Sequence, residues 1–302
     1  MMYDLIVVGG GPAGLTAAIY AIRKRLNVLL VSKDLGGKTN FRLELPGVED
    51  YQVVRGLEIV GKFRAELEYL DFARHMEPVD RISRHQDGFA VHARRGGGLL
   101  AKAVVVASGT THQRLNVPGE KELLMRGLCY SAISYAPLFI DKTTAVIGDG
   151  DLALRSAAEL STVAEHVYVV GPRAGVLEST LGRKLKEAEN VTILEGYRVI
   201  EILGEDYAER VAVQGPEGQE AEVSADGTFI EMALIPNSDM VAELVDLDTQ
   251  GRIKVDGRNR TSVPGIFAAG DVTDTYAEQV LVAAGEGAKA ALSAYEYLLP
   301  TL

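Results

Sequence analysis

A buried strand, a glycine-rich turn and a helix follow one another within the first 25 residues of the chain. The apolar residues 5–8 lead directly into Gly9, Gly11 and Gly14, and an alanine-rich helical stretch continues from 15 to about 25. Glycines at this spacing let the backbone turn sharply and approach a pyrophosphate, while the first turn of the helix offers unpaired N–H groups to its charge. The pattern predicts a dinucleotide-binding turn at the start of a parallel sheet, with a ligand-free turn as the alternative.

A second unit of the same kind begins near the middle of the chain. The strand 145–147 precedes Gly148 and Gly150, Ala153 takes the third small position, and a helix continues to about Leu160. A chain of 302 residues exceeds the usual size of one hydrophobic core. Apolar strands separated by single helices are typical of parallel sheets covered on both faces. We therefore predict an α/β fold with two Rossmann-like, three-layer ββα domains.

The residues after the second strand of each unit bear on the choice of ligand. In the first unit Ser32 and Lys33 stand where an acidic residue ordinarily binds a ribose, which favours FAD over NAD. In the second unit Arg173 is accompanied by neither a ribose-binding acid nor further arginines for a 2′-phosphate. A nicotinamide coenzyme, another nucleotide such as a second flavin, and no ligand at all stay open for this second turn.

The composition argues against several functional classes. A net charge of −11 and the lack of tryptophan make nucleic acid an improbable partner. Cys129 is the only cysteine of the sequence and the five histidines are scattered, so we predict no intramolecular disulfide and no metal site. No apolar run reaches about 18 residues, so we predict no membrane span. The first residues lack the pattern of a secretory signal, and we expect a cytoplasmic protein.

Several further segments resemble the low-molecular-weight thioredoxin reductase family (class II pyridine nucleotide-disulfide oxidoreductases) over essentially the whole chain. These segments are residues 9–14, 36–38, 107–109, 236–237, 265–272 and 278–287. The resemblance implies a discontinuous FAD-binding domain, 1–112 and 242–302. It places an NAD(P)-binding-like domain, 113–241, between the two halves. It also implies FAD as cofactor, NAD(P)H as a candidate second cofactor, and a homodimer.

The resemblance also implies which residues bind the cofactors. Asp271 would hydrogen-bond the ribityl–phosphate part of FAD, and N–H groups near Gln279 and Val280 would face the pyrimidine edge of the flavin. The candidate FAD contacts are Gly9, Gly11, Pro12, Ala13, Gly14, Ser32, Lys33, Gly36, Gly37, Lys38, Asn40, Val79, Ala107, Ser108, Gly109, Gly270, Asp271, Gln279 and Val280. The candidate NAD(P) contacts are Gly148, Gly150, Ala153 and Arg173.

The sequence departs from the family at the positions of its thiol chemistry. Ser131 and Ser134 stand where the family has its cysteine pair, and Tyr135 stands at the position of the family's acid. A serine hydroxyl cannot cycle through a disulfide, which excludes dithiol exchange by that route. Lys38 replaces the family's glutamine, and a cation there would raise the flavin potential. Cys129 is interpreted as a packing residue, with a redox role as the alternative.

These departures predict an FAD-dependent oxidoreductase whose catalytic group is the flavin itself. It would transfer electrons between a nicotinamide coenzyme and a redox protein such as a ferredoxin or flavodoxin. Tyr130, Tyr135 and Lys38 are the candidate side chains near the flavin. The alternative is a non-catalytic or regulatory FAD-binding protein with a degenerate nicotinamide site, and a thioredoxin reductase proper is disfavoured by the missing cysteines.

Overall fold

The chain forms two compact units in a computed structural model, which describes residues 2–48, 56–70 and 73–302, without the side chains of 56, 57 and 59. Of the described residues, the first unit contains those in 2–40, 56–111 and 235–302. The second unit contains 41–48 and 112–234. The domain boundaries that the resemblance implies, after 112 and after 241, stay a prediction.

The described elements are strands and helices in alternation along most of the chain. The strands are β1 (Met2–Val8), β2 (Val28–Val31), β3 (Arg74–His75), β4 (Val79–His85), β5 (Gly88–Ala93), β6 (Gly98–Val106), β7 (Thr110–His112), β8 (Leu128–Cys129), β9 (Thr143–Ile147), β10 (His166–Val170), β11 (Val191–Leu194), β12 (Arg198–Leu203), β13 (Arg210–Gln214), β14 (Glu220–Ser224), β15 (Gly227–Ile230), β16 (Leu234–Pro236) and β17 (Ile266–Ala268). The helices are α1 (Pro12–Arg23), α2 (Gly56–Tyr69), α3 (Glu120–Leu123), α4 (Ala132–Tyr135), α5 (Asp151–Leu160), α6 (Ala174–Leu177), α7 (Thr180–Glu187) and α8 (Val280–Leu298).

The sheet of the first unit is parallel where it carries the glycine turn. Its order is β3-β2-β1-β6-β5-β4, with β17 also paired to β6. Strand β1 pairs in parallel with β2 and β6, so that Leu5 lies opposite both Val28 and Ala103. Strands β4, β5 and β6 are antiparallel neighbours. The carboxyl ends of β1, β2 and β6 therefore meet at one edge, and the residues that follow these strands gather there.

Strand β1 is buried on both faces, which explains its unbroken apolar sequence. Leu5 and Val7 pack in the cluster formed with helices α1, α2 and α8. Ile6 and Val8 pack in a second cluster with β4, β5 and the segment 240–255. The parallel sheet thus lies between a helical layer and a largely β layer, as expected for a three-layer ββα domain, and the α/β prediction is confirmed.

Small residues let helices α1 and α8 pack closely. A Cβ added at Gly287 of α8 would overlap the carbonyl oxygen of Ala13 in α1. Ala17 and Ala21 of α1 are buried in the same cluster as Ala290 of α8. The last helix therefore lies against the helix that begins at the glycine turn, and it brings its own first residues to the same edge of the sheet.

The second unit has a parallel sheet of its own. The order is β11-β10-β9-β15-β8, and a separate antiparallel sheet contains β12, β13 and β14. In the centre, Val146 of β9 lies opposite Val169 of β10 and Phe229 of β15. Apolar clusters cover both faces of this sheet. The second Rossmann-like unit is therefore also confirmed.

Two element boundaries differ from the sequence-based expectation. The apolar residues in 228–233 predict a buried strand, but β15 ends at Ile230 and the chain leaves the sheet at Glu231. The apolar spacing of Val60, Phe63 and Leu67 predicts a helix over 55–72, and α2 is described over Gly56–Tyr69, while 55, 71 and 72 lie outside the described residues. Within the described part of the chain, none of the helices combines the length and apolarity needed to cross a membrane.

Candidate functional site

The glycine turn after β1 contains glycines that the fold requires and one, Gly11, that it does not. A Cβ at Gly9 would overlap the carbonyl oxygen of Ala107, and a Cβ at Gly14 would overlap that of Gly9. Gly9 also adopts a φ of +111°, which side chains disfavour. Gly11 has an ordinary φ of −75°, and a Cβ there would meet no described atom within 4 Å. Gly11 therefore borders open space rather than a packing neighbour.

Helix α1 begins at this open space. Gly11 is its N-cap and Pro12 its first residue, and no described side chain caps the first turn. The first turn contains no acidic residue, so the positive end of the helix dipole is not compensated there. Unpaired N–H groups beside an uncompensated helix dipole favour the binding of an anion such as a phosphate.

The loop after β2 closes against the glycine turn. The Gly36 N–H donates to the Gly10 carbonyl oxygen at 2.7 Å, and the Gly37 N–H donates to the Asp34 carboxylate at 2.9 Å. A Cβ at Gly37 would lie 3.1 Å from Gly11 Cα. The backbone of this loop therefore reaches the open space beside Gly11, as expected of a segment that passes close to a ligand.

Three further candidate contacts take part in this loop's own structure or face solvent. The hydroxyl of Ser32 is buried and donates to the Asp34 carbonyl oxygen at 2.7 Å. The Asn40 amide donates to the Leu35 carbonyl oxygen at 2.9 Å. Lys33 is exposed. The contacts of these three side chains with FAD stay predictions, and the hydrogen bonds of Ser32 give it a second, structural explanation.

Lys38 is held at the same edge by two side chains from distant parts of the sequence. Its Nζ lies 2.9 Å from the Asp271 carboxylate and donates to the Thr110 hydroxyl at 2.5 Å. Thr110 is buried, and the side chains of Lys38 and Asp271 are 33% and 17% exposed. Thr110 was not among the predicted contacts, although it directly follows the segment 107–109, which was.

Glu286 organises the loop that carries Asp271. Its carboxylate accepts the Gly270 N–H at 2.8 Å and the Thr275 hydroxyl at 2.8 Å. A Cβ at Gly270 would lie 3.0 Å from the Cβ of Ala13, so the loop also packs against the start of α1. Glu286 had no predicted role, because its contacts with the loop arise only in the folded chain.

The first residues of α8 also lie at the carboxyl edge of the sheet in the first unit. Gln279 is the N-cap, and no described side chain caps this helix end either. Partial desolvation raises the pKa of the Glu278 carboxyl, the Asp271 carboxylate raises it further, and Lys38 and Arg252 oppose the rise. Two uncapped helix N-termini, those of α1 and α8, thus belong to the same unit as the Lys38–Asp271 pair.

The segment after β6 is tied to the chain that returns from the second unit. The Ser108 hydroxyl donates to the Asn237 carbonyl oxygen at 2.7 Å, and the Asn237 amide donates to the Ser108 carbonyl oxygen at 2.9 Å. Val79 lies at the start of β4 and packs in the β-side cluster. All the candidate FAD residues lie in the first unit. The contact of Val79 with FAD stays a prediction.

The glycine turn of the second unit has a similar backbone and a different charge. A Cβ at Gly148 would overlap the Glu231 carbonyl oxygen and lie 2.7 Å from the Cβ of Ala153, whereas a Cβ at Gly150 would meet no described atom within 4 Å. Asp151 lies in the first turn of α5, where an anion would bind. A carboxylate at that position opposes a phosphate, so this turn is a weaker anion site than the turn in the first unit.

Arg173, the candidate coenzyme contact after β10, is engaged within the second turn itself. Its guanidinium lies 3.1 Å from the Asp149 carboxylate, and its Nε donates to the Asp149 carbonyl oxygen at 3.3 Å. The two side chains are 70% and 40% exposed. Surface ion pairs of this kind are weak, but the pairing leaves less of the guanidinium available to a 2′-phosphate.

The residues at the position of the family's cysteine pair form a hydroxyl pair. The Oγ atoms of Ser131 and Ser134 lie 2.9 Å apart at the start of α4. The carboxylate of Glu231 is buried and accepts the Ala132 N–H at 2.8 Å. Cys129 is 1% exposed, and burial raises the pKa of its thiol far above the usual range. A buried thiol held in its neutral form supports the packing interpretation of Cys129.

Of the two candidate tyrosines, Tyr130 has a defined set of partners. Its ring stacks on His112 at 4.8 Å, and its hydroxyl donates to the buried Glu120 carboxylate at 3.0 Å. Desolvation, together with Glu120, raises the pKa of Tyr130 to about 12. Tyr135 is half-buried at the end of α4. Both tyrosines belong to the second unit, and their placement near a flavin stays a prediction.

Comparisons with known proteins agree with the two-domain dinucleotide-binding fold. The sequence model of the family described as pyridine nucleotide-disulphide oxidoreductase matches residues 3–287. The structure of thioredoxin reductase from Streptococcus pyogenes MGAS5005 is similar, with a TM-score of 0.88 and 32% identity over 99% of both chains. A ferredoxin-flavin thioredoxin reductase from Clostridium acetobutylicum has a TM-score of 0.51 and 29% identity over 99% of this chain and 98% of its own.

A longer curated relative matches as well. It is a component of the alkyl hydroperoxide reductase from Staphylococcus aureus (strain Mu50 / ATCC 700699), and it is 33% identical over 304 residues. The match covers 98% of this chain and 59% of that relative. The chain therefore spans less than two thirds of the length of the curated relative.

Proposed function

Because this chain belongs to the pyridine nucleotide-disulphide oxidoreductase family, whose members bind FAD and use NAD(P)H, we propose that it is an FAD-dependent oxidoreductase that works without an active-site disulfide. The fold is that of a thioredoxin reductase-like flavoprotein oxidoreductase. The observation that carries the proposal is the uncapped start of α1 beside Gly11, next to the loop at Gly37 and in the same unit as the Lys38–Asp271 pair.

The residues of the first unit fit FAD. A dinucleotide requires a place for a pyrophosphate, and Gly11 supplies open space in front of unpaired N–H groups. When bound, FAD supplies the transfer of two electrons or of single electrons. The start of α1 would bind the phosphates, the loops at Gly37 and Gly270 would hold the cofactor, and the dipole of α8 would favour negative charge on it.

The electron acceptor that we propose is a small redox protein such as a ferredoxin or flavodoxin. The sequence has Cys129 as its only cysteine, and that thiol is buried. The sequence therefore contains no dithiol that could accept electrons from the flavin. The similar structure from Clostridium acetobutylicum is named a ferredoxin-flavin thioredoxin reductase, which supports ferredoxin as a redox partner, although that name gives thioredoxin as the protein reduced.

A second candidate function is favoured by the turn of the second unit. Asp149 and Asp151 place negative charge where a pyrophosphate would bind, and Asp149 engages Arg173. These features support a regulatory FAD-binding protein whose nicotinamide site is degenerate. In that case the flavin would be reduced by a protein donor, and nicotinamide coenzymes would not reduce it.

We also propose that the protein is a cytoplasmic homodimer. Leu281 and Leu292 of α8 and Leu299 directly after it are 53%, 38% and 49% exposed, and helical periodicity places them on one side of the helix. An exposed apolar stripe on a long helix is typical of a protein–protein contact. Light scattering of the native protein and of Leu292→Glu tests this proposal, which requires that only the variant is monomeric.

The proposed reaction can be tested with one set of acceptors and one matched variant. The protein is purified, supplied with FAD, and assayed with NADPH or NADH and with ferredoxin, flavodoxin or thioredoxin. We expect reduction of ferredoxin or flavodoxin but not of thioredoxin, and equal rates for the wild type and Cys129→Ser. Thioredoxin reduction that Cys129→Ser abolishes would contradict the proposal, because it would require a thiol in the electron path.

A further inference from the structure

Lys38 is an ammonium group fixed in position rather than a mobile surface charge. Its Nζ is bound from two sides, by the Asp271 carboxylate at 2.9 Å and by the buried Thr110 hydroxyl. Thr110 lies 72 residues and Asp271 lies 233 residues away from Lys38 in the sequence. A lysine that served only solubility would not be held by two distant segments, because ordering its long side chain costs conformational entropy.

The ammonium is held within the candidate nucleotide site. Lys38 directly follows Gly37, whose Cβ position lies 3.1 Å from Gly11 Cα in the glycine turn. Its partner Asp271 directly follows Gly270, which packs on Ala13 at the start of α1. The ion pair is therefore attached to both loops that approach the turn.

Lys102 and Asp4 form a second ion pair in the same unit, at 2.8 Å and with side chains 33% and 18% exposed. The Lys38–Asp271 pair has almost the same distance and exposure, 2.9 Å with 33% and 17%. The Lys102 pair joins two neighbouring strands, whereas the Lys38 pair joins two loops at the carboxyl edge of the sheet. The two pairs differ in location, and this makes one a control for the other.

We propose that Lys38 sets the reduction potential of the bound flavin, by holding a fixed positive charge at this edge of the sheet. The inference rests on the proposed function and concerns its energetics. A hydride from a nicotinamide coenzyme brings two electrons and one proton, so the reduced cofactor carries one more negative charge than the oxidised cofactor. A fixed ammonium group stabilises the reduced cofactor more than the oxidised one. It also offsets the Asp271 carboxylate, which would otherwise oppose reduction, and so raises the potential.

The test measures the flavin potential in Lys38→Gln, Lys38→Arg and Lys102→Gln. Each FAD-loaded protein is reduced anaerobically in the presence of an indicator dye of known potential, and both absorbances are followed to equilibrium. We expect the equilibrium constant for reduction to fall about tenfold in Lys38→Gln, which for a two-electron couple is a shift of about 30 mV to more negative potential. Lys38→Arg should retain most of the wild-type value, and Lys102→Gln all of it.

Three outcomes decide against the proposal in different ways. An unchanged potential in Lys38→Gln with FAD bound would overturn it and leave the proposed function intact. Loss of FAD by Lys38→Gln, with the same unfolding temperature as Lys102→Gln, would assign Lys38 to cofactor binding instead. A wild-type protein that binds no FAD would refute the proposed function and this inference together. A negative shift confined to Lys38→Gln would support the proposal.

Discussion

A single methyl group added at Gly11 should affect ligand binding without affecting the stability of the fold. Its φ of −75° suits any residue, and a Cβ would meet no described atom within 4 Å. Gly11→Ala therefore leaves the packing of the turn unchanged. Exchanging glycine for alanine at an N-cap costs about 1 kcal/mol. The lower conformational entropy of the unfolded variant stabilises the folded state by about 0.4–1 kcal/mol. The free energy of unfolding should therefore change by less than ~1 kcal/mol.

The same methyl group should strongly weaken cofactor binding. It would occupy the space in front of the unpaired N–H groups at the start of α1, where the pyrophosphate is proposed to lie. A hydrogen bond to a charged group contributes about 1.5–3 kcal/mol. Loss of one such bond corresponds to a fall in FAD affinity of roughly 10- to 100-fold, since each ~1.4 kcal/mol is tenfold.

The assay measures stability and affinity on the same samples. Chemical unfolding of the apo protein gives the first quantity, and titration with FAD followed by flavin fluorescence gives the second. Gly14→Ala is the matched control, because its Cβ would overlap the Gly9 carbonyl oxygen and should cost about 3 kcal/mol or more. If Gly11→Ala binds FAD as tightly as the wild type, Gly11 does not border the pyrophosphate site. If it unfolds as readily as Gly14→Ala, the fold requires Gly11.

Three further predictions concern the second unit. The Cys129 thiol should resist alkylation in the native protein and react fully after unfolding, because it is buried and its pKa is raised; rapid native modification would contradict its placement. Desolvation and Glu120 raise the pKa of Tyr130 to about 12, so the stability that its neutral hydroxyl contributes is complete below pH ~10 and is lost as the pH rises towards 12. Ultraviolet difference titration of the wild type and of Tyr130→Phe should show one tyrosine with a raised pKa in the wild type alone. Identical titration curves for the two proteins would contradict this prediction. Asp149→Asn should raise the affinity for NADPH by about fivefold, or ~1 kcal/mol, because it removes a carboxylate and releases Arg173; an unchanged affinity in a coenzyme titration would refute this role of Asp149.

The fold could be predicted because its main signals are local. The apolar strand, the glycines at 9 and 14 and the start of α1 are adjacent in sequence, although the contact that requires Gly9 is with Ala107, which follows β6. The same holds for Gly148 and the start of α5. Two such units suffice to indicate two parallel sheets, because each glycine turn follows a continuous apolar strand.

The parts of the site that escaped prediction depend on long-range contacts. Thr110 binds Lys38 from 72 residues away, and its place directly after the segment 107–109 does not indicate that partner. In the sequence, Glu286 resembles any polar residue of a helix. Its role depends on the fold, in which the Gly270 N–H donates to it. The apolar pattern at 228–233 suggested one long strand, but the chain leaves the sheet after Ile230, where the Glu231 carbonyl group lies against Gly148.

An anaerobic titration of the FAD-loaded protein with NADPH and then NADH tests whether a nicotinamide coenzyme reduces the flavin without a thiol. The visible absorbance of the flavin is followed in the wild type and in Cys129→Ser. We expect one of the two coenzymes to bleach the flavin at one equivalent per FAD, with the same course in both proteins. A flavin that is plainly bound and that neither coenzyme bleaches would contradict the claim, and it would favour the regulatory alternative with a degenerate nicotinamide site.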